Sequence, residues 1–226
     1  MSKTYRRVLL KISGDCFAQE KLFNSVVRQL IQVEKRRIRL AVVIGGGNII
    51  RGRENHTLDP RTADITGMLA TVINGIRLAD LLSHQVPVEH FAAFAIGNFV
   101  TPYSVETARA SLKKGKIVIL SGGTGIPCFS TDTAAALRAI ELKMDVILKG
   151  TRVAGIFSAD PEKEPNARFY PQITYEQALK QGLKIMDATA FALCQEHRIP
   201  IVVFDITRPQ AILNTIAGKK TGSVVC

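Results

Sequence analysis

A chain of 226 residues with 46% hydrophobic content is long enough to bury a sizeable core and too apolar to be disordered. Thirty Lys and Arg against nineteen Asp and Glu leave a formal charge of +11, which directs attention to anionic partners: nucleic acid, a membrane surface or small phosphorylated molecules. Four isolated cysteines, Cys16, Cys128, Cys194 and Cys226, form no Cys-x-x-Cys pair, so neither a disulfide framework nor a zinc site is supported and a reducing cytosol fits.

The first element is "RRVLLKIS", a short strand. Its three apolar residues before Lys11 are too few for a signal sequence or a membrane span, so the chain reads as soluble and cytoplasmic. There follow an amphipathic helix in "NSVVRQLIQVEKRRI", a strand in "LAVVI", a long helix over about 59–83 and a strand in "VPVEHFAAF". The alternation continues through "SVETARASLKKG", "KIVIL", "DTAAALRAIELK", "DVILKG", "TYEQALKQGL", "ATAFALCQEH", "IPIVVFDI" and "RPQAILNTIAG". Strand then helix, repeated, predicts an α/β fold with a mostly parallel sheet and helices on both faces, as one large domain or two closely packed lobes. The one long irregular stretch, "RVAGIFSADPEKEPNARFYPQI", is rich in turn residues and serves either as a lid or as an excursion between lobes.

In a parallel sheet the carboxyl ends of the strands share one edge, where ligands bind. Residues 11–14, 45–48, 122–125 and 149–151 each follow an apolar run and are expected along that rim. Glycine loops there present bare N–H groups at a helix start to an anion, or simply turn the chain. Neither loop matches G-x-G-x-x-G, and G-x-x-x-x-G-K-[ST] is absent, which argues against a nicotinamide enzyme and a P-loop kinase. Lys11 and Lys149, at the ends of apolar strands, are the sharper clue, because burying an ammonium is costly unless an anion meets it. Asp132 and Asp187 open apolar helices and Asp160 precedes Pro161, so each is a cap or turn former as well as a candidate for chemistry. Asp64 is open between a helix-dipole partner and a hydroxyl acceptor. Thr174 and Gln177 form a capping box. His56, His84, His90 and His197 lie scattered and suggest no catalytic histidine.

Taken in order, "VLLKISGD", "VVIGGGNIIRG", "RTADITGMLATVINGIRLADLL", "VILSGGTGIPCFSTDTAAALRAIE", "DVILKGTRVAGIFSADP" and "LKIMDATAFALC" resemble the bacterial uridylate (UMP) kinases of the amino acid kinase superfamily over nearly the whole chain. The resemblance implies a three-layer α/β/α sandwich and transfer of phosphate from ATP, bound with Mg²⁺, to UMP. It also implies a cytoplasmic homohexamer that needs neither membrane nor nucleic acid. The single domain, 1–226, would comprise an acceptor lobe of about 1–150 and an ATP lobe of about 151–226, closely packed. Lys11, Ile12, Ser13, Gly14, Gly47 and Arg51 would meet the ATP phosphates, and Thr151, Phe157 and Asp160 would line the adenosine pocket. Gly46 and Asp64 would hold UMP, with Thr124, Gly125, Ile126, Pro127, Cys128, Phe129, Ser130 and Thr131 wrapped around it. Lys11, Lys149, Asp132 and Asp187 would be the catalytic set, the carboxylates orienting the lysines, with no protein ligand to a metal. Against the family pattern, the glycine-rich segment after Lys-x-Ser-Gly is shortened to "DCFAQEKLFN". Ile126 and Cys128 replace the usual Asn and Phe, and Ala154 replaces a common Asp. A sister enzyme acting on carbamate or an amino-acid carboxylate, and a nucleic-acid-binding regulator, are the rival readings; 6% aromatics without Trp and dispersed basic residues speak against the latter.

Overall fold

A computed structural model describes residues 4–50, 58–161 and 163–226. The chain runs β1 (Arg7–Ile12), α1 (Asp15–Ala18), α2 (Glu20–Lys35), β2 (Arg39–Ile44), α3 (Pro60–Ser83), β3 (Val88–Ala92), β4 (Thr101–Pro102), α4 (Val105–Lys113), β5 (Ile117–Ser121) and α5 (Thr131–Glu141). It continues with β6 (Val146–Thr151), β7 (Ile156–Phe157), β8 (Phe169–Tyr170), β9 (Gln172–Ile173), α6 (Tyr175–Lys180), α7 (Ala188–Glu196), β10 (Ile201–Asp205), α8 (Ala211–Ile216) and β11 (Gly222–Val225).

Side chains alternate across a strand with period two, and here both faces are covered. Val8, Leu10 and Ile12 of β1 join Leu40, Val42 and Ile44 of β2 in one core, closed by Phe23, Val26 and Leu30 of α2 and by Ile212 and Ile216 of α8. Leu9, Ala41 and Val43 point the other way, into a second core built with Ala135 and Ala139 of α5 and Ala190 and Phe191 of α7. The result is a three-layer α/β/α arrangement around a nine-stranded sheet of order β4-β3-β5-β2-β1-β6-β10-β11-β9. Its pairs are parallel except β10 with β11.

Strand β1 lies between β2 and β6. The connection from β1 to β2 packs α2 on one face, and that from β6 to β10 packs α7 on the other. The crevice outside the carboxyl ends of β1 and β6 is therefore a topological switch point, where open α/β sheets bind ligands.

Helix α3 begins as expected: Asp59 caps it, accepting hydrogen bonds from the N–H groups of Arg61 and Thr62 at 3.0 and 3.3 Å. It is long and apolar enough to cross a membrane by composition, yet Ala70, Leu78 and Leu82 pack into the molecule. The stretch read as irregular differs from expectation, since Ile156 and Phe157 pair with Tyr170 and Phe169 in a small hairpin. Gln172 and Ile173 extend the main sheet beside β11. Two-residue strands carry no readable periodicity, and the C-terminal β11 becomes a strand by pairing with β10.

Candidate active site

The register of β1 on β6 places Lys11 directly opposite Lys149. Both occupy alternating positions that point toward the face covered by α5. Two ammonium groups side by side and mostly buried repel one another and lose hydration. The N-terminal turn of α5 supplies the compensation. Asp132 meets Lys11 Nζ with Oδ1 at 2.8 Å and Lys149 Nζ with Oδ2 at 2.7 Å. Lys149 also donates to the carbonyl of Ile185 at 2.5 Å. Burial pushes the Asp132 carboxyl up, but the charges of Lys11 and Lys149 outweigh it and hold the group below its ordinary value. Burial lowers Lys149, Asp132 opposes that and Lys11 adds to it, and the net direction is down.

Asp132 is not the cap of α5, contrary to the sequence reading. Ser130 holds that position, accepting from the N–H groups of Asp132 and Thr133 at 3.0 and 3.3 Å, which frees the Asp132 carboxylate for the lysines. Asp187 does cap α7, accepting from Ala190 N–H at 2.8 Å. No ion pair joins Asp187 to either lysine among the described residues, although its charge acts on Lys149 and favours the ammonium form. Its carboxylate instead accepts from Thr133 Oγ1 at 2.8 Å and from the Ser130 hydroxyl, tying the start of α7 to the start of α5.

Two cavities lie nearby, one against Lys149 and the other reaching Thr131 beside Asp132. The larger, about 460 Å³, is lined by Lys149, Thr151, Phe157 and Asp160, together with Val153 and Leu183, which sequence reasoning did not single out. The smaller, about 150 Å³, lies between the glycine loops and α3, against Gly46, Gly47, Asp64, Phe129, Ser130 and Thr131. Met68 and Thr71 also face it, and their signal was hidden in an apolar helical run.

The remaining expected residues distribute unevenly. Ile12 is buried in the core on the far face, so only its backbone reaches the rim, where its carbonyl accepts from Gly45 N–H at 2.8 Å. Ser13 and Gly14 abut the first glycine loop. Neither loop leads directly into a helix, and the missing side chains have a nearer cause than a phosphate. A Cβ on Gly45 would lie 2.7 Å from the Gly14 nitrogen, and one on Gly46 would lie 2.8 Å from the Gly67 carbonyl oxygen. Arg51 and His56 lie outside the described residues. In the second loop Gly125 N–H closes a turn on the Gly122 carbonyl at 3.0 Å, and the Thr124 hydroxyl accepts from Ile126 N–H at 3.2 Å. Cys128 adopts a left-handed φ of 75° and donates its N–H to Asp64 at 2.6 Å, so Asp64 anchors this loop to α3. Ile126, Cys128 and Phe129 are exposed, and Pro127 bends the chain between them. Burial holds His90 down to about 4, and it bonds Ser121 Oγ at 2.8 Å, in keeping with a neutral structural histidine.

A profile of the amino acid kinase family matches residues 6–205, most of the chain and all of the site just described. The chain belongs to the amino acid kinase family. Among solved structures, this amino acid kinase is similar to UMP kinase from Ureaplasma parvum, with a TM-score of 0.92 and 37% identity covering 99% of each chain. It is also similar to UMP kinase from Bacillus anthracis, with a TM-score of 0.94 and 30% identity over 99% of this chain and 96% of that one. It shares the fold of the uridylate kinase from Archaeoglobus fulgidus, with a TM-score of 0.77 and 24% identity over 97% of this chain and all of the other.

The pKa directions give a test of the buried trio. The lowered Asp132 contributes stability that is present above the ordinary carboxylate value of about 3.9 and lost as pH falls through its folded value. The lowered Lys149 gives a slope of the same sign in the alkaline range, since the unfolded chain binds more protons between its folded value and about 10.4, so stability again gains as pH rises there. In Asp132→Asn the acid loss shrinks and the alkaline gain grows, measured by urea denaturation from acid to alkaline pH; identical profiles for both proteins would contradict the assignment.

Proposed function

We propose that this amino acid kinase transfers the γ-phosphate of ATP to UMP, giving UDP and ADP for pyrimidine nucleotide synthesis in the cytosol. The observation that carries the reading is the buried trio: two ammonium groups held on one carboxylate, with a larger cavity against Lys149 and a smaller one reaching Thr131, next to Asp132. In this reading adenosine occupies the larger cavity against Thr151, Phe157 and Asp160. UMP occupies the smaller, with Asp64 and Gly46 near the ribose and residues 124–131 around phosphate and base.

Phosphoryl transfer through a loose transition state depends on positioning and charge neutralisation more than on covalent help. The second pKa of a phosphate monoester is about 6, so the UMP phosphate is already largely dianionic at neutral pH and needs no base to create the nucleophile. One of its oxygens forms the new bond to the γ-phosphorus as the bond to the β,γ-bridging oxygen breaks, and ADP leaves with that electron pair. Lys11 and Lys149, with the N–H groups of Gly14 and Gly47, offset the repulsion of the two polyanions. Asp132 keeps both ammonium groups aimed at one point. Mg²⁺, when bound with ATP, supplies further neutralisation. The ATP phosphates and water would hold it, in keeping with its preference for oxygen ligands of that kind.

We further infer a homohexamer. Ile65, Leu69, Ile73 and Ile76 form an exposed apolar stripe along one face of α3, larger than isolated surface apolar residues require.

ADP release from ATP with UMP as acceptor tests the reaction. Turnover is expected with UMP and not with glutamate, aspartate or carbamate; turnover only with a carboxylate or carbamate overturns the assignment. Lys11→Ala is expected to lower kcat by roughly 10²–10³, the cost typical of one preorganised donor, while UMP still binds. Light scattering is expected to give six times the 24.7 kDa chain mass, and Ile73→Glu a smaller, folded particle; a monomeric wild type removes the assembly.

A further inference from the structure

Helix α3 buries two polar side chains, Thr71 and Asn74, which are 2% and 0% exposed. Such residues are poor choices inside a helix, because they compete for backbone hydrogen bonds, so their partners define their purpose. Thr71 Oγ1 donates to the Met68 carbonyl at 2.7 Å within the helix and accepts the Gly122 N–H at 2.7 Å. Asn74 Nδ2 donates to the Gly45 carbonyl at 2.9 Å and to Asn48 Oδ1 at 2.7 Å, and Asn74 Oδ1 accepts from Asn48 Nδ2 at 3.2 Å. One side chain therefore holds the loop after β5, and the other holds the loop after β2.

We propose that Thr71 and Asn74 are positioning residues that set the two glycine loops at a fixed separation and so shape the acceptor-phosphate site. The geometry explains why one helix does this. Residues three apart on a helix have Cβ atoms about 5–6 Å apart, and neighbouring strands lie about 4.7–4.9 Å apart. Strands β2 and β5 are neighbours, so one turn of α3 reaches both strand ends. The loops need such a tether. Gly122 sits at a left-handed φ of 76°, and the first loop is braced on its other side by the backbone of Ile12, Ser13 and Gly14. Thr71 also lines the smaller cavity, whereas Asn74 lies beneath the loop and acts through it.

The proposal takes its substrate from the preceding reading but not its loop geometry, and the experiment separates the two. Thr71→Val keeps the side-chain shape and leaves the Gly122 N–H buried without an acceptor. It is expected to raise KM for UMP about tenfold, the factor set by one lost buried hydrogen bond, with a smaller change in kcat, and Thr71→Ser is expected to restore it. Hydrogen exchange is expected to quicken in the peptide around Gly122 for Thr71→Val, and in the peptide around Gly45 for Asn74→Ala, each leaving the other loop unchanged. Asn48→Ala removes the amide pair from a less buried position while keeping the Asn74 bond to the Gly45 carbonyl, so it is expected to quicken exchange around residues 46–48 more than at Gly45, and it serves if Asn74→Ala does not fold. An unchanged KM in Thr71→Val, a Thr71→Ser enzyme as impaired as Thr71→Val, or exchange that quickens equally in both loops overturns the proposal. A wild-type protein without UMP kinase activity overturns the functional reading alone, because the exchange pattern still decides the positioning claim.

Discussion

The site depends on one electrostatic constraint: Lys11 and Lys149 stand side by side on adjacent parallel strands, and a single carboxylate lies between them. At an effective dielectric of about 20, two unit charges about 5 Å apart repel by roughly 3 kcal/mol. Asp132 meets each lysine at shorter range than that, and the Asp187 charge also acts on Lys149, which makes the pair tolerable.

That arrangement holds only if α5 is held. Its first turn must present Asp132 at one height and angle above the sheet, and this is achieved by dividing labour among neighbouring polar residues. Ser130 satisfies the helix N-terminus, Thr133 and Ser130 both donate to Asp187, and Asp187 in turn caps α7. Two helix starts are locked to each other by one carboxylate, with Ala134 and Ala135 letting α5 lie close on the strands. On the other side of the site α3 plays the matching part. It contacts the second glycine loop through Asp64 and Thr71 and the first through Asn74.

The glycines show how a motif can be located correctly and explained incompletely. Three in a row at a strand end mark a place where backbone must approach something closely, and a cavity lies beside Gly46 and Gly47. The immediate neighbours of Gly45 and Gly46 are nevertheless the chain itself, at Gly14 and Gly67. Space for a ligand is what remains after those contacts are made.

The longer strands and helices, the parallel sheet and the candidate lysines were legible in the sequence, because hydrophobic periodicity and a charge placed against an apolar run are local signals. The tiny strands β7, β8 and β9, the antiparallel partner β11 and the true cap of α5 were not, since each exists only through pairing or hydrogen bonding with distant residues. The same holds for the meaning of Thr71 and Asn74, which read as unremarkable members of a long helix until the loops they hold are in place. By itself the sequence determined that cations and glycines gather at one edge of a parallel sheet. Only the tertiary structure decided that Lys11 and Lys149 face each other across one carboxylate, because strand register and helix docking are set by packing between segments far apart in the chain.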